Sequence, residues 1–491
     1  MAAISVKEVS HHNTPEDLWI IVNDNIYDLT EFAPNHPGGA AIIHHYAGRD
    51  ASDAYNKIHP PSLIQISLPS SKHVGVLDLL PRPVEYIKPP PRPSPSKAPL
   101  STLLSTHDFV AAARTSLTPK TWAFYSSAAT DLHTFSRNAS AYSAIGLRPR
   151  ILVDVRAVDT RTQMLGQRMR VPLFCAPAAM AGMVHPDGEK GIARACRRVG
   201  IPQCVSTNAS FPLAEIFQSV SGPGHPEDYY KEWDGLPIFF QLYVDKQRAK
   251  SEELLKIAGK LGVKSIFVTV DAPVPGKREA DERVAADESL STPMSGARAK
   301  NDFKGGALGR IMGSYIDASL SWSDIPWLRA HTSLPVVLKG VQTYMDVLHA
   351  ADLGIEAVVL SNHGGRSLDT APAPVLLLLE LQRNCPAVFD RLEVFVDGGV
   401  MRGTDIFKAL CLGARCCGVG RGILYGLNYG SEGVEKYIEI LKDELETTMR
   451  MMGVTDLSQV HPGLLNTGAV DHLIPSGEEH PYAKWRPNAR M

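Results

Sequence analysis

Between Pro172 and Gly420 the chain repeats one pattern eight times: a short apolar run, then a stretch of helical character. The runs are PLFCAPA from Pro172, PQCVST from Pro202, IFFQLY from Ile238, SIFVTVD from Ser265, PVVLKG from Pro335, AVVLSN from Ala357, EVFVDG from Glu393 and CCGVG from Cys416. They are continuously apolar, as parallel strands covered on both faces must be. Several segments between them, such as KSEELLKIAGKLG and GTDIFKALCLGA, carry apolar residues at helical spacing. A doubly wound sheet uses the same elements, but eight uninterrupted units favour closure into an α/β (β/α)8 TIM barrel.

Ahead of the barrel, Leu80 to Pro99 reads LPRPVEYIKPPPRPSPSKAP, with seven prolines between Pro81 and Ala98. That density suits an extended spacer and no regular element. The expected organisation is a small module over 1–80, a hinge over 81–105, the barrel over 106–465 and a tail over 466–491. In the module, LWIIVN and NIYDLT read as two short strands about a turn, and His36 and His59 lie 23 residues apart. Two neutral imidazoles on opposing helix–loop units suit haem iron. Any two of 17 histidines can be so spaced, and His44 and His45 are rivals that read as helix-surface residues.

At 491 residues the chain is too long for one ordinary core. A formal net charge of −2 gives no reason to expect a nucleic-acid partner or an anionic membrane surface. No apolar stretch approaches the ~20 residues of a membrane span, and MAAISVKEVS has neither signal- nor transit-peptide character. The seven cysteines, with no C-x-x-C pair, read as buried reduced thiols and not as a disulfide framework or metal site. Ala489-Arg490-Met491 is a loose variant of a peroxisomal tail.

Nearly every predicted strand ends in polar or small residues: Ala178 and Ala179, Ser206, Gln241 and Tyr243, Thr269 and Asp271, Lys339, His363, Asp397-Gly398-Gly399, and Gly420-Arg421. In a barrel these ends converge on the face that carries active sites. The glycine turns after strands seven and eight occupy the usual phosphate position, with Arg421 able to pair with the anion. His363 is a candidate general base and Asp271 a candidate partner for it. Arg278 and Arg366 can clamp a carboxylate, and Lys339 can stabilise negative charge on a reduced cofactor ring. A phosphate site, a base and a carboxylate clamp together suggest oxidation of a small 2-hydroxy acid by a phosphate-bearing cofactor.

The stretches SNHGGRSLD, QLYV, FVTVDAP, VLKGV, VDGG and GVGRG closely resemble the FMN-dependent L-2-hydroxy-acid oxidase and dehydrogenase family, over about Thr106 to Gly453. HPGG after a DLTEF-like segment resembles the cytochrome b5 family, an α+β haem domain. A cytochrome b5 module hinged to an FMN barrel is the layout of the flavocytochrome b2 family, cytochrome-linked L-lactate dehydrogenases of fungal mitochondria. The resemblance implies that His363 takes a proton from the substrate hydroxyl or α-carbon, paired with Asp271. It implies that Arg278 and Arg366 hold the carboxylate and Tyr243 bonds the substrate hydroxyl. It places FMN on Pro177, Ala178, Ala179, Ser206, Gln241, Thr269 and Lys339, with its tail on Asp397, Gly398, Gly399, Gly420 and Arg421. Haem b would be held by His36 and His59, and electrons would leave to a one-electron acceptor such as cytochrome c. It further implies a homotetramer and the mitochondrial intermembrane space, against cytoplasmic or peroxisomal alternatives.

Three positions depart from the family pattern. Phe124 stands where a carboxylate-donating tyrosine is usual, and Asn208 where the side-chain pocket is usually apolar. Met401 replaces an arginine, shifting the phosphate toward Arg421 and Arg402, and Ala178 replaces a threonine by the flavin. The leading expectation is a haem- and FMN-dependent 2-hydroxy-acid dehydrogenase. The alternatives are a peroxide-producing oxidase with a peripheral haem module and a non-catalytic haem–flavin redox protein. The segment from about Glu279 to Arg310, rich in Gly, Ser, Ala and charge, is expected to be a mobile loop over the rim.

Overall fold

A computed structural model describes residues 2–78, 97–221 and 238–477. Most of the proline-rich hinge and the Ala489-Arg490-Met491 tail lie outside the described residues. The chain divides into two compact units, Met1–Arg92 and Pro93–Met491.

The first unit is built on a mixed sheet with strand order Ala2–Ile4, His73–Leu77, Asn25–Asp28, Asp17–Val22, Asn13–Thr14, and Arg49–Asp50 added beside Asp17–Val22. The two expected strands form the hairpin Asp17–Val22 and Asn25–Asp28. Asn23 and Asp24 turn it with φ of 50° and 61°, the left-handed pair a tight hairpin needs and Asn and Asp tolerate. One face of the sheet buries Leu18, Ile20, Val22, Tyr27 and Leu29 against Ala33, Ala47 and Ile64. Short helices Ala40–His45, Ser52–Asn56 and Leu63–Ser67 complete the unit.

In the second unit all eight apolar runs are strands of one closed parallel barrel. They are β1 (Leu173–Cys175), β2 (Gln203–Ser206), β3 (Ile238–Leu242), β4 (Ile266–Thr269), β5 (Val336–Val341), β6 (Ala357–Leu360), β7 (Glu393–Asp397) and β8 (Cys416–Val419). Closure comes from β1 pairing with both β2 and β8. Inside, Phe174, Phe239, Phe267 and Phe395 pack with Val337, Val359 and Cys204, and a hairpin adds Met164 and Met169 to the same cluster. Burial on both faces explains why the runs carry no alternation. The barrel interior is therefore a packed core, and chemistry is left to the strand ends.

Three helices precede the barrel: α1 (Thr106–Ser116), α2 (Pro119–Ser126) and α3 (His133–Ala144). Ser105 and Thr118 cap the first two through their side chains. All seven cysteines are buried and unpaired. Among the described residues no helix is long and apolar enough to cross a membrane. The Glu279–Arg310 segment, expected as a mobile loop, is instead folded and tied down. Lys120 Nζ on α2 donates to the carbonyls of Asp281, Val284 and Gly306 and pairs with Asp281 Oδ1 at 2.6 Å. Composition cannot register a single lysine saturated by a loop more than 160 residues away.

Candidate active site

The strand ends open on a cavity of about 620 Å³. Its walls include Pro177, Ala178, Ala179, Ser206, Gln241, Tyr243, Thr269, Arg278, Lys339, His363, Arg366, Asp397, Gly398, Gly399, Gly420 and Arg421, which is every barrel residue singled out from sequence except Asp271 and Arg402. Asp271 sits behind His363: Nδ1 of His363 lies 2.9 Å from its fully buried carboxylate, and Nε2 lies 3.3 Å from Tyr243 Oη. An Asp271-bound Nδ1–H leaves the Nε2 lone pair toward the cavity.

The backbone at this corner is specialised. His363, Gly364 and Gly365 have φ of 60°, 63° and 79°, a left-handed run in which only glycine is free of strain. A side chain at Gly364 would strike Arg421 and one at Gly365 the backbone of Phe135. Asp271 fits behind His363 because β5 carries a register shift at Gly340, where a Cβ would collide with Asp271 Cβ and Cγ. Asn362 and Asn138 on α3 exchange amide bonds of 2.9 and 2.7 Å, fixing the loop from below.

Burial disfavours the Asp271 carboxylate, but His363 and Lys339 outweigh it and hold the carboxyl below its ordinary range. Lys339 shows the same balance. Burial opposes its charge, yet Asp397, 3.0 Å away, and Asp271 raise its pKa. Burial and Asp271 push the Tyr243 phenol up to about 12. Lys339 also donates to Ser361 Oγ at 3.1 Å.

Arg366 is oriented by the end of α2. Its Nη1 donates to the carbonyls of Phe124, Tyr125 and Ser127 at 2.8, 3.0 and 3.2 Å, oxygens that a helix C-terminus leaves without partners. Its other donors make no bond within the described protein, and neither does Arg278. The two guanidiniums lie 5.1 and 5.4 Å from the Phe124 ring centre, Arg366 and Arg278 respectively. Burial, followed by repulsion from Arg278 and Arg421, drives the Arg366 pKa well down. Paired, desolvated cations of this kind need an anion between them.

At the far end of the cavity, Arg421 donates to the Gly364 carbonyl while its buried Nη1 has no partner. Asp397 Oδ1 is likewise buried and unpartnered, and Gly420 leaves open space where a Cβ would stand. Buried polar atoms without partners mark a missing ligand, and an arginine donor, a carboxylate acceptor and a glycine cradle fit the phosphate and ribityl hydroxyls of FMN. Arg402 does not contribute. It stands at the N-cap position of the helix Gly403–Cys411 and its side chain pairs with Glu444 at 2.7 Å, so Met401 lines the cavity and Arg402 does not.

In the first unit His36 and His59 stand with ring centres 6.2 Å apart. Two metal–imidazole bonds of about 2.0–2.1 Å each, the range known for zinc, would set ring centres some 6 Å apart, so the pair fits an intervening iron. His36 Nδ1 donates to the Gly39 carbonyl at 3.2 Å, leaving Nε2 as the ligand atom. Ile42, Ile58, Leu63 and Ile66 are exposed in the same helices and loops, apolar surface that a haem would cover. His44 and His45 lie half-buried and exposed on the helix Ala40–His45. Sequence gave no warning of Tyr315, whose hydroxyl reaches Asn208, or of Ser361 under Lys339. Tyr315 lies outside the motifs and only the fold brings it in, whereas Ser361 lies within SNHGGRSLD and its contact with Lys339 shows only once the chain is folded.

Residues 113–467 match the FMN-dependent dehydrogenase family, and residues 5–78 match the cytochrome b5-like haem/steroid-binding domain. The L-lactate dehydrogenase (cytochrome) of Saccharomyces cerevisiae is 42% identical over 94% of this chain and 79% of its own length. A peroxisomal (S)-2-hydroxyacid oxidase of Arabidopsis thaliana is 37% identical over 74% of this chain and 96% of its own. Among solved structures, the flavin-binding domain of baker's yeast flavocytochrome b2 aligns with TM-score 0.66 and 40% identity, covering 80% of this chain and 94% of that one. The chain belongs to the FMN-dependent dehydrogenase family, with a cytochrome b5-like domain ahead of the barrel, and its cofactors are FMN and haem b.

Proposed function

We propose that the chain oxidises an L-2-hydroxy acid to the 2-oxo acid and passes the electrons through its haem domain to a one-electron acceptor such as cytochrome c. The observation that carries this reading is the pair of guanidiniums, Arg278 buried and Arg366 half-buried, whose free donors open on the cavity beside His363 and Tyr243. The relative named for cytochrome-linked L-lactate oxidation aligns across both domains, whereas the peroxisomal oxidase aligns over the barrel portion. That difference favours the dehydrogenase over the oxidase.

In this reading Arg278 and Arg366 hold the substrate carboxylate. His363 Nε2 removes a proton, from the C2 hydroxyl or from C2 itself, and Asp271 stabilises the imidazolium that results. Tyr243, with its phenol at about 12, stays protonated at neutral pH and donates to the substrate hydroxyl oxygen. Bound FMN supplies the two-electron acceptor for the C2 oxidation. Arg421, Asp397 and the Gly399 and Gly420 turns would hold its tail, and Lys339 keeps a positive charge on the wall that also carries Gln241 and Thr269. His36 and His59 hold the haem.

The test is initial rates of ferricytochrome c reduction and of oxygen uptake with L-lactate and D-lactate. Reduction of cytochrome c by the L isomer alone, faster than oxygen uptake, is the expected result. Oxygen uptake that matches or exceeds cytochrome reduction would favour the oxidase, and no reaction with any L-2-hydroxy acid would overturn the reading.

A further inference from the structure

Asn208 lies just beyond β2, 5% exposed, on the cavity wall. The turn that carries it is rigid. Its backbone N–H donates to Ser206 Oγ at 3.1 Å, and its carbonyl accepts from Met180 N–H at 2.9 Å. Its neighbour Thr207 accepts from the Tyr243 N–H at 3.1 Å, placing Asn208 next to the strand end that carries Tyr243.

The amide itself is oriented from outside the barrel. Tyr315 Oη donates to Asn208 Oδ1 at 3.2 Å, and Ser295 lies beside the Tyr315 phenol. Ser295 Oγ lies 2.5 Å from Thr292 Oγ1, and Thr292 and Ser295 are 1% and 8% exposed. The relay therefore runs from the folded rim segment into the pocket. With Oδ1 occupied, the Nδ2 group faces the cavity, and it makes no hydrogen bond to any described residue. An N–H₂ without a protein partner on the wall of a substrate pocket is open to an acceptor on the substrate. Leu308 and Ile316 on the same cavity wall offer none from their side chains.

We propose that Asn208, held by the Thr292–Ser295–Tyr315 relay, makes the pocket selective for L-2-hydroxy acids whose side chain carries a neutral hydrogen-bond acceptor, such as a hydroxyl or carbonyl oxygen. This deepens the reading given above and rests on it. A neutral acceptor is preferred to a second carboxylate because the amide provides donors without charge. Arg278 and Arg366 are committed to the first carboxylate and Arg421 to the phosphate end, so a second buried anion would have no counter-charge. A methyl or ethyl side chain would leave the Asn208 N–H₂ unpaired.

The experiment measures kcat/KM of the full holoprotein with L-glycerate, L-2-hydroxybutyrate, L-malate and L-lactate. The first two have equal numbers of heavy atoms and differ by a hydroxyl in place of a methyl. The wild type is expected to prefer L-glycerate over L-2-hydroxybutyrate by about tenfold, with L-malate behind L-glycerate. Asn208→Leu inverts the preference. Tyr315→Phe, which frees the amide to rotate, lowers it without inverting it. No preference in the wild type overturns the proposal without any variant having to fold. A ratio unchanged in Asn208→Leu, or L-malate ahead of L-glycerate, overturns it as well. If L-lactate is oxidised while the ratio is flat, only the Asn208 inference fails; if none of the four acids reacts, the catalytic reading falls with it.

Discussion

Replacing Asp271 by Asn exchanges one oxygen for an NH₂ group, on a side chain that does not line the cavity, yet the geometry makes it one of the costliest substitutions in the barrel. Oδ1 of Asp271 lies 2.9 Å from His363 Nδ1, which puts the charges of a carboxylate and an imidazolium about 4 Å apart. At an effective dielectric of ~20 that attraction is about 4 kcal/mol, or close to three decades in rate at about 1.4 kcal/mol per decade. Two further effects act in the same direction. Lys339 loses one of the two carboxylates that balance it, which raises the local positive potential against a second cation. An asparagine N–H₂ can also donate to Nδ1, selecting the tautomer that carries its proton on Nε2 and so abolishes the base. The expected result is a fall in kcat of about 10³-fold. KM should stay near its wild-type value, because Arg278 and Arg366 are untouched. Anaerobic stopped-flow recording of flavin bleaching by L-lactate, with FMN content checked from the absorbance spectrum, measures it. A loss below tenfold, or a loss confined to KM, would refute the assignment of His363 as base and Asp271 as its positioning partner.

Other substitutions separate the remaining parts of the account. Phe124→Tyr adds a donor between Arg278 and Arg366 and should lower KM for L-lactate by roughly tenfold, the value of a hydrogen bond to a charged group; an unchanged or higher KM would show that the hydroxyl does not reach the carboxylate. His59→Ala should remove the haem spectrum and abolish cytochrome c reduction, while the substrate still bleaches the flavin at its wild-type rate. Asp369 accepts from the N–H groups of Asp131, His133 and Thr134 and from Thr130 Oγ1 at the start of α3. Asp369→Ala should cost about 1 kcal/mol in a urea titration at neutral pH. Burial opposes the Asp369 charge, but these bonds, led by the Thr134 N–H, hold its pKa below the ordinary range. Its contribution is therefore present above about pH 4 and is lost as pH falls through the lower folded value, so the difference between wild type and variant should shrink at acid pH.

The barrel was legible because its strands are buried on both faces, which leaves eight runs with no polar interruption until the rim. The residues that break those runs line the cavity, from Ser206 to Arg421. Asp271 could be named from its place at the end of β4, but its depth behind His363 depends on the register shift at Gly340, which no local pattern reports. Arg366 could be read as a clamp, whereas its anchoring on the carbonyls of Phe124, Tyr125 and Ser127 joins segments about 240 residues apart. The same limit applies to Tyr315 over Asn208 and to Lys120 under the rim segment. Arg402 was misread because adjacency to Met401 says nothing of direction: one residue further along the helix start, its side chain meets Glu444 and not the cavity. Long-range pairing decided each of these cases, and sequence spacing carries little of it.

The most direct measurement is the anaerobic visible spectrum of the purified holoprotein during addition of L-lactate and, separately, L-glycerate. The account predicts loss of flavin absorbance followed by sharpening of the haem bands, in that order and without oxygen. Oxidised flavin and haem that persist unchanged with both acids would contradict it.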